Sequence, residues 1–281
     1  MITNQPQVVL SGLAFGESPR WHDGQLWVSD WGAGEVLTVD PSGTSDVVAR
    51  VSSFPMCIDF LRDGRLLIVD SAGGQLLRRE QDGSLVRHAD LSFLGSSPWN
   101  EVVADSRDNA YVNNIGFDFP AEDPAPGFVA LVTAQGIASK VAEDLWFPNG
   151  MVLAPDGSTL LVAESYGHQI TAFDVTEDGG LAHRRVWADL GDGTPDGICI
   201  DAEAAVWYAD VPGQRCVRVR EGGEVLQTVQ LDRGCFSCAL GGADRRTLFM
   251  IAMQWNGAEA SGGPERTGVV LSVPVTVPGV G

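Results

Sequence analysis

NGMVLAPDGSTLLVAE (residues 149–164) contains an apolar run, a Pro-Asp-Gly turn and a second apolar run closed by a carboxylate. The same grammar recurs in DGICIDAEAAVWYAD (196–210) and ESPRWHDGQLWVSD (17–30). Looser copies stand at MCIDFLRDGRLLIVD (56–70), NEVVADSRDNAYVNN (100–114) and SCALGGADRRTLFMIA (237–252). Six copies therefore follow one another at intervals of roughly forty to fifty residues. Repeats of this length built from short strands are the signature of β-propeller blades, each too thin to bury its own faces until neighbours stack on it. The expected fold is all-β, a six-bladed β-propeller, with residues 1–281 as one domain.

Within each repeat, period-two or short apolar runs bounded by Gly, Asp and Pro mark the strands. LWVSD (26–30), LLIVD (66–70), AYVNN (110–114), LLVAE (160–164) and VWYAD (206–210) occupy equivalent second-strand positions. Third strands follow, from EVLTVD (35–40) to GVVLSV (268–273). The segment VVLSGL (8–13) is a strand that the first blade does not need. Pairing it beside GVVLSV closes the ring and removes an open sheet edge that would invite aggregation. No stretch has helical periodicity long enough to compete.

Composition agrees. Gly makes up 34 of 281 residues, about 12% against a typical ~7%, which suits a fold with many tight turns. The formal net charge of −19 disfavours nucleic acid and anionic membranes as partners and leaves small molecules as the expected ones. The start, MITNQPQVVLSG, lacks a basic region followed by an apolar core, and no run of eighteen apolar residues occurs. A cytoplasmic location is the corresponding expectation. Oligomeric state leaves no trace in the sequence. The five cysteines, Cys57, Cys199, Cys216, Cys235 and Cys238, are an odd number at unpatterned spacings and read as buried small hydrophobes.

Function in a propeller is sought where the repeats differ, because the inner strands bring their first residues to one axis. Those residues are Glu17, Met56, Asn100, Asn149, Asp196 and Ser237. Two carboxylates and two amide carbonyls converging there make an oxygen-only site for one divalent ion. Calcium suits it first, with magnesium, manganese, zinc and iron as further candidates. Two carboxylates in a narrow tunnel without a cation repel each other and lose hydration. The competing reading gives Asn149 and Asp196 only turn-making roles in PNG (148–150) and PDG (195–197).

GESPRW (16–21), FPNGMVLAPDGSTLLVAES (147–165) and PDGICIDAEAAVWYAD (195–210) resemble signature segments of the senescence-marker-protein, gluconolactonase and luciferin-regenerating-enzyme family. The resemblance covers nearly the whole chain. It implies a six-bladed propeller with one central divalent metal and a hydrolase, mostly a lactonase. Carried over by position, it implies that Glu17, Asn149 and Asp196 bind the metal and that Asn100 contacts metal or substrate. One departure concerns specificity. Sugar-lactone members carry a basic residue two positions before the third-blade Asn, where this chain has Pro98, followed by Trp99, Asn100 and Glu101.

Apolar residues are expected around the site instead: Phe54, Trp99, Phe117, Phe119, Trp146, Phe147 and Trp255, with Asn100, Trp99, Phe117, Phe119 and Trp146 as the substrate-binding set. The irregular insertion GFDFPAEDPAPG (116–127) looks like a lid. Asp196 is the candidate general base for water attacking a lactone carbonyl, and Glu17 a ligand only. AESYG (163–167) misses the nucleophile-elbow pattern, GDGTPDG (191–197) opens no helix, and His22, His88, His168 and His183 are scattered. Two alternatives stand beside a lactonase of apolar lactones: a phosphotriesterase on the same metal site, and a non-enzymatic binding propeller.

Overall fold

Twenty-four strands form six four-stranded antiparallel sheets in the structure, a computed structural model describing residues 5–257 and 265–280. The sheets are the blades of a six-bladed propeller. Blade 1 runs β2 (Gly16–His22), β3 (Gln25–Asp30), β4 (Glu35–Val39) and β5 (Ser45–Arg50) from axis to rim. Blade 2 is β6 (Ile58–Phe60) to β9 (Leu85–Asp90), and blade 3 is β10 (Trp99–Ala104) to β13 (Ala138–Leu145). Blade 4 is β14 (Pro148–Leu153) to β17 (Leu181–Asp189), and blade 5 is β18 (Pro195–Ile200) to β21 (Val225–Gln230). Blade 6 takes β22 (Gly234–Gly241), β23 (Thr247–Met253) and β24 (Gly268–Pro274) from the C-terminal side and borrows β1 (Gln7–Leu13) as its outermost strand. The borrowed strand lies antiparallel to β24, from Gln7 opposite Ser272 to Leu13 opposite Gly268. The N-terminal strand thus closes the ring, as the sequence pattern anticipates.

Alternation along each strand puts apolar side chains on both blade faces, and each face is buried by the next blade. Leu67, Leu76, Val112 and Ala130 join blades 2 and 3, and Tyr111, Leu131, Leu160 and Phe173 join blades 3 and 4. Val28, Leu37, Phe249 and Ile251 join blades 6 and 1. A blade alone would expose two such faces, which is why the ring folds as a unit.

In blades 1 and 4 the carboxylate closing the second strand ties down the turn entering its blade. Asp30 accepts the backbone N–H groups of Ala14 (3.0 Å) and Phe15 (2.8 Å), and Glu164 accepts that of Trp146 (2.7 Å). These terminal carboxylates are therefore clamps rather than site residues. No helix among the described residues is long and apolar enough to cross a membrane.

Candidate active site

Four of the inner strands carry a register shift at the same place: between Glu17 and Arg20, Trp99 and Val102, Pro148 and Met151, and Pro195 and Ile198. A bulge re-aims a side chain that regular pleating would send elsewhere. Here the re-aimed residues are Glu17, Asn100, Asn149 and Asp196, and all four line one cavity of about 430 Å³ at the axis. Ser18, directly after Glu17, holds φ at 49°, a strained conformation for a non-glycine residue. Blade 2 pairs only Ile58–Phe60 without a shift, and Met56 is fully buried beside it.

The two motif glycines act through close approach, not through turns. A Cβ on Gly150 would stand 2.5 Å from both the carbonyl oxygen of Asp196 and the nitrogen of Ile198. A Cβ on Gly197 would sit inside the Ser237 side chain. Inner strands of blades 4, 5 and 6 can converge only if the residues after Asn149 and Asp196 lack side chains. The turn-making reading of PNG and PDG does not describe these segments.

Hydrogen bonds fix the polar floor. Asn100 donates through Nδ2 to Asn149 Oδ1 (3.2 Å), and Asn149 donates through Nδ2 to Ser165 Oγ (3.3 Å). Ser165 Oγ donates to the carbonyl of Pro195 (2.7 Å), next to Asp196. Asn113, fully buried, accepts from the Glu101 backbone N–H (2.9 Å) and donates to the Asn149 carbonyl (2.6 Å), which locks blade 3 to blade 4.

Electrostatics is dominated by carboxylates short of partners. Burial first, and the Asp196 carboxylate next, push the Glu17 carboxyl well above its ordinary range, although the Ser18 N–H donates to it at 2.7 Å. Asp196 is raised likewise by its low-dielectric surroundings and then by Glu101, with the Asn149 amide offsetting part of the effect. Glu101 is 3% exposed and pairs with Arg20 (2.9 Å), which also reaches Asp59 (3.5 Å). That guanidinium is committed to those two acids. Among the described residues no Lys or Arg pairs with Glu17 or Asp196.

This donor set fits a hard divalent cation. It supplies two carboxylates and two amide groups, and the carboxylates lack a countercharge. Among the described residues no three His, Cys, Asp or Glu side chains gather as a metal-binding group, so the amides are essential to the set. Cys57 Sγ lies 4.0 Å from Asn100 Oδ1, but burial pushes its pKa up, so it stands by as a neutral thiol rather than a soft thiolate ligand.

Two aromatic walls rise from the floor. On one side Phe15 stacks on Trp31 (5.3 Å between centroids), Phe54 meets both edge-on, and Phe236 carries the wall to Trp255. On the other, Phe119 and Phe147 pack edge to face (5.2 Å) beside Tyr166, with Phe117 buried behind them. Of the expected apolar residues, Phe54, Phe119, Phe147 and Trp255 line the cavity. Trp99 does not. It is 1% exposed and packs edge-on to Phe128 in the core between blades 2 and 3, because its neighbour Asn100 takes the inward direction. Trp146 is 45% exposed and lies outside the lining, and Phe117 stands behind Phe119, Phe147 and Tyr166, which do line it. None of the four histidines lines it.

Sequence reasoning missed Phe15, Trp31, Ser165, Tyr166 and Phe236. A register signal was available. Trp31, Ile115, Ser165 and Val211 each follow the polar residue that ends a second strand, and all line the cavity. Phe15, Pro98, Phe147, Thr194 and Phe236 precede the inner-strand residues in a second ring.

Residues 15–254 match a family described as the SMP-30/Gluconolactonase/LRE-like region. The chain is 35% identical over 273 residues to regucalcin of Xenopus laevis, covering 87% of this chain and 85% of that protein. It is 25% identical over 293 residues to the 6-deoxy-6-sulfogluconolactonase of Pseudomonas putida, covering 99% and 95%. Among solved structures it is similar to a luciferin-regenerating enzyme, with a TM-score of 0.83 at 19% identity and 98% and 97% coverage.

Proposed function

We propose that this chain, which belongs to the SMP-30/gluconolactonase/LRE-like family, hydrolyses lactones with the help of one divalent ion held by Glu17, Asn149 and Asp196, and favours lactones bearing apolar groups. The likeness to a lactonase of Pseudomonas putida supports lactone hydrolysis. The observation that carries the metal is the pair of carboxylates, Glu17 and Asp196, converging on an enclosed floor without a basic partner. Calcium, bound by oxygen donors of this type, is the first choice, and magnesium or manganese follow.

When bound, the ion supplies positive charge that polarises a carbonyl oxygen and stabilises charge developing there. The chain's own residues do the rest. Asp196 takes a proton from water as the water oxygen attacks the lactone carbonyl carbon. When the ring C–O bond breaks, Asp196 returns that proton to the departing alkoxide. Asp196 lines the cavity, so its carboxylate faces the space in which water and lactone would meet. Glu17, held by Ser18, serves as ligand only. Asn100, with its amide nitrogen directed along the floor, is placed to donate to a substrate oxygen. The two aromatic walls exclude bulk water and orient the substituent.

Substrate preference follows from the lining. Among the described residues no Lys, Arg or His contributes to the cavity, and Asp118 stands at its rim. The Pseudomonas putida relative is named for a sulfonated lactone; in this cavity a sulfonate would meet a carboxylate and no basic side chain. A polyhydroxylated lactone would leave hydroxyls unpaired against Phe15, Trp31 and Phe147, a desolvation cost that an alkyl substituent does not incur.

The test compares kcat/KM for gluconolactone with that for alkyl-substituted γ- and δ-lactones and a phosphotriester, before and after chelation. The expected result is a preference for the alkyl lactones that disappears with EDTA and returns with added calcium. A preference for gluconolactone refutes the substrate claim, retention of activity after exhaustive chelation refutes the metal, and a dominant phosphotriesterase activity moves the chemistry to phosphorus.

A further inference from the structure

In two blades the residue after the second strand is a serine whose hydroxyl bonds the next blade's inner strand. In blade 2 this is Ser71, whose Oγ accepts the backbone N–H of Trp99 at 2.9 Å, the residue before Asn100. In blade 4 it is Ser165, which bonds the residue before Asp196. That residue is Pro195, which has no N–H to give. The hydroxyl must therefore donate, to the Pro195 carbonyl at 2.7 Å, and its lone pairs are left to accept. What they accept is Asn149 Nδ2, at 3.3 Å.

From this we infer that Ser165 is a positioning residue that sets which end of the Asn149 amide faces the metal. This rests on the metal reading above. With Nδ2 drawn to Ser165, Oδ1 is turned toward the floor, where it accepts from Asn100 Nδ2 with one lone pair and keeps another for a cation. The alternative amide orientation would aim an NH₂ at the ion, and a cation is repelled by N–H dipoles. Without the serine hydroxyl that orientation loses its acceptor for Nδ2 on the Ser165 side and rests on Asn100, whose own amide is free to turn, and on the Asp196 carboxylate. Ser165 is itself 6% exposed and is fixed by its bond to the Pro195 carbonyl, a constraint that a water entering from the cavity does not share. Pro195 thus reaches the metal through a chain of two hydrogen bonds, by forcing the direction in which a hydroxyl donates.

Calcium titration calorimetry on chelated protein tests this in four forms: wild type, Ser165→Ala, Asn149→Asp, and the double variant. A carboxylate presents oxygen at either end, so it needs no orienting. Ser165→Ala should weaken calcium binding about 10- to 100-fold when made in the wild-type chain, as outer-shell substitutions do. Added to Asn149→Asp, it should weaken binding less than about 2-fold, because the orienting role it removes is no longer needed. Ser165→Thr, which keeps the hydroxyl, should restore binding, and it provides the comparison with wild type if Ser165→Ala fails to fold. Thermal midpoints of the chelated proteins show which variants fold. An equal loss with and without Asn149→Asp would mean that Ser165 merely holds the two blades together, and undiminished binding by Ser165→Ala would likewise overturn the inference. If wild type itself takes up no divalent ion, the metal reading falls and this inference falls with it; binding by wild type with no effect of the serine sinks the inference alone.

Discussion

Replacing Asp196 by Asn should make the metal-free protein more stable while abolishing its calcium affinity. The side chain keeps its shape and one carbonyl oxygen but loses a charge that burial and Glu101 disfavour and that no basic group compensates. Glu17, raised in turn by Asp196, gains as well. Relief of an uncompensated, mostly desolvated charge is worth about 1–3 kcal/mol, discounted here because Asp196 opens onto the cavity. At about 2–4 °C per kcal/mol for a chain of this size, the midpoint rises by about 2–12 °C. The pH dependence has a definite sign. A carboxyl whose folded pKa is raised contributes stability that is fully present below its unfolded pKa of about 4 and is lost as pH climbs through the folded value. Chelated wild type and Asp196→Asn should therefore have similar midpoints near pH 4 and diverge toward pH 8, with wild type the lower. Differential scanning calorimetry in EDTA across that range, repeated in excess calcium, is the assay. Calcium should raise wild type and leave the variant unmoved. A chelated Asp196→Asn protein that is less stable than chelated wild type at pH 8 would refute the reasoning, since the carboxylate would then be contributing to the fold rather than straining it.

Two further outcomes follow from the packing around the floor. Gly197→Ala places a methyl in the Ser237 side chain and should cost about 1–3 kcal/mol by overpacking, with weakened calcium binding, because β18 must move and carries Asp196 with it; denaturant unfolding checks the first and calorimetry the second. Arg20→Met strands Glu101 and Asp59 without their cation and should destabilise by about 3–5 kcal/mol, most visibly at neutral pH, whereas the double variant Arg20→Met with Glu101→Gln should recover part of the loss; urea midpoints of the three proteins decide it.

The repeat grammar of apolar run, turn, apolar run and polar stop determined the six blades and most strand positions, because short strands buried on both faces leave a dense, local pattern of β-branched residues punctuated by Gly and Asp. LLIVD (66–70) and QITAFDV (169–175) coincide with β7 and β16. Closure by the N-terminal strand was legible too, since a closed ring allows no unpaired edge. Glu17, Asn100, Asn149 and Asp196 stand out by register alone as departures from a repeat that otherwise serves packing.

Side-chain direction was not legible there. Trp99 and Asn100 are neighbours in sequence, and only the bulge between Trp99 and Val102 decides that the amide enters the cavity while the indole enters the core. The roles of Gly150 and Gly197 depend on how closely blades 4, 5 and 6 approach, a distance set by the closed ring and by no local stretch. The aromatic walls likewise join Phe15, Trp31, Phe54, Phe236 and Trp255, residues from three blades that share no sequence neighbourhood. Local pattern carries the blades because each strand's burial is local in origin, and tertiary structure decides the site because its residues meet only when the sixth blade closes on the first.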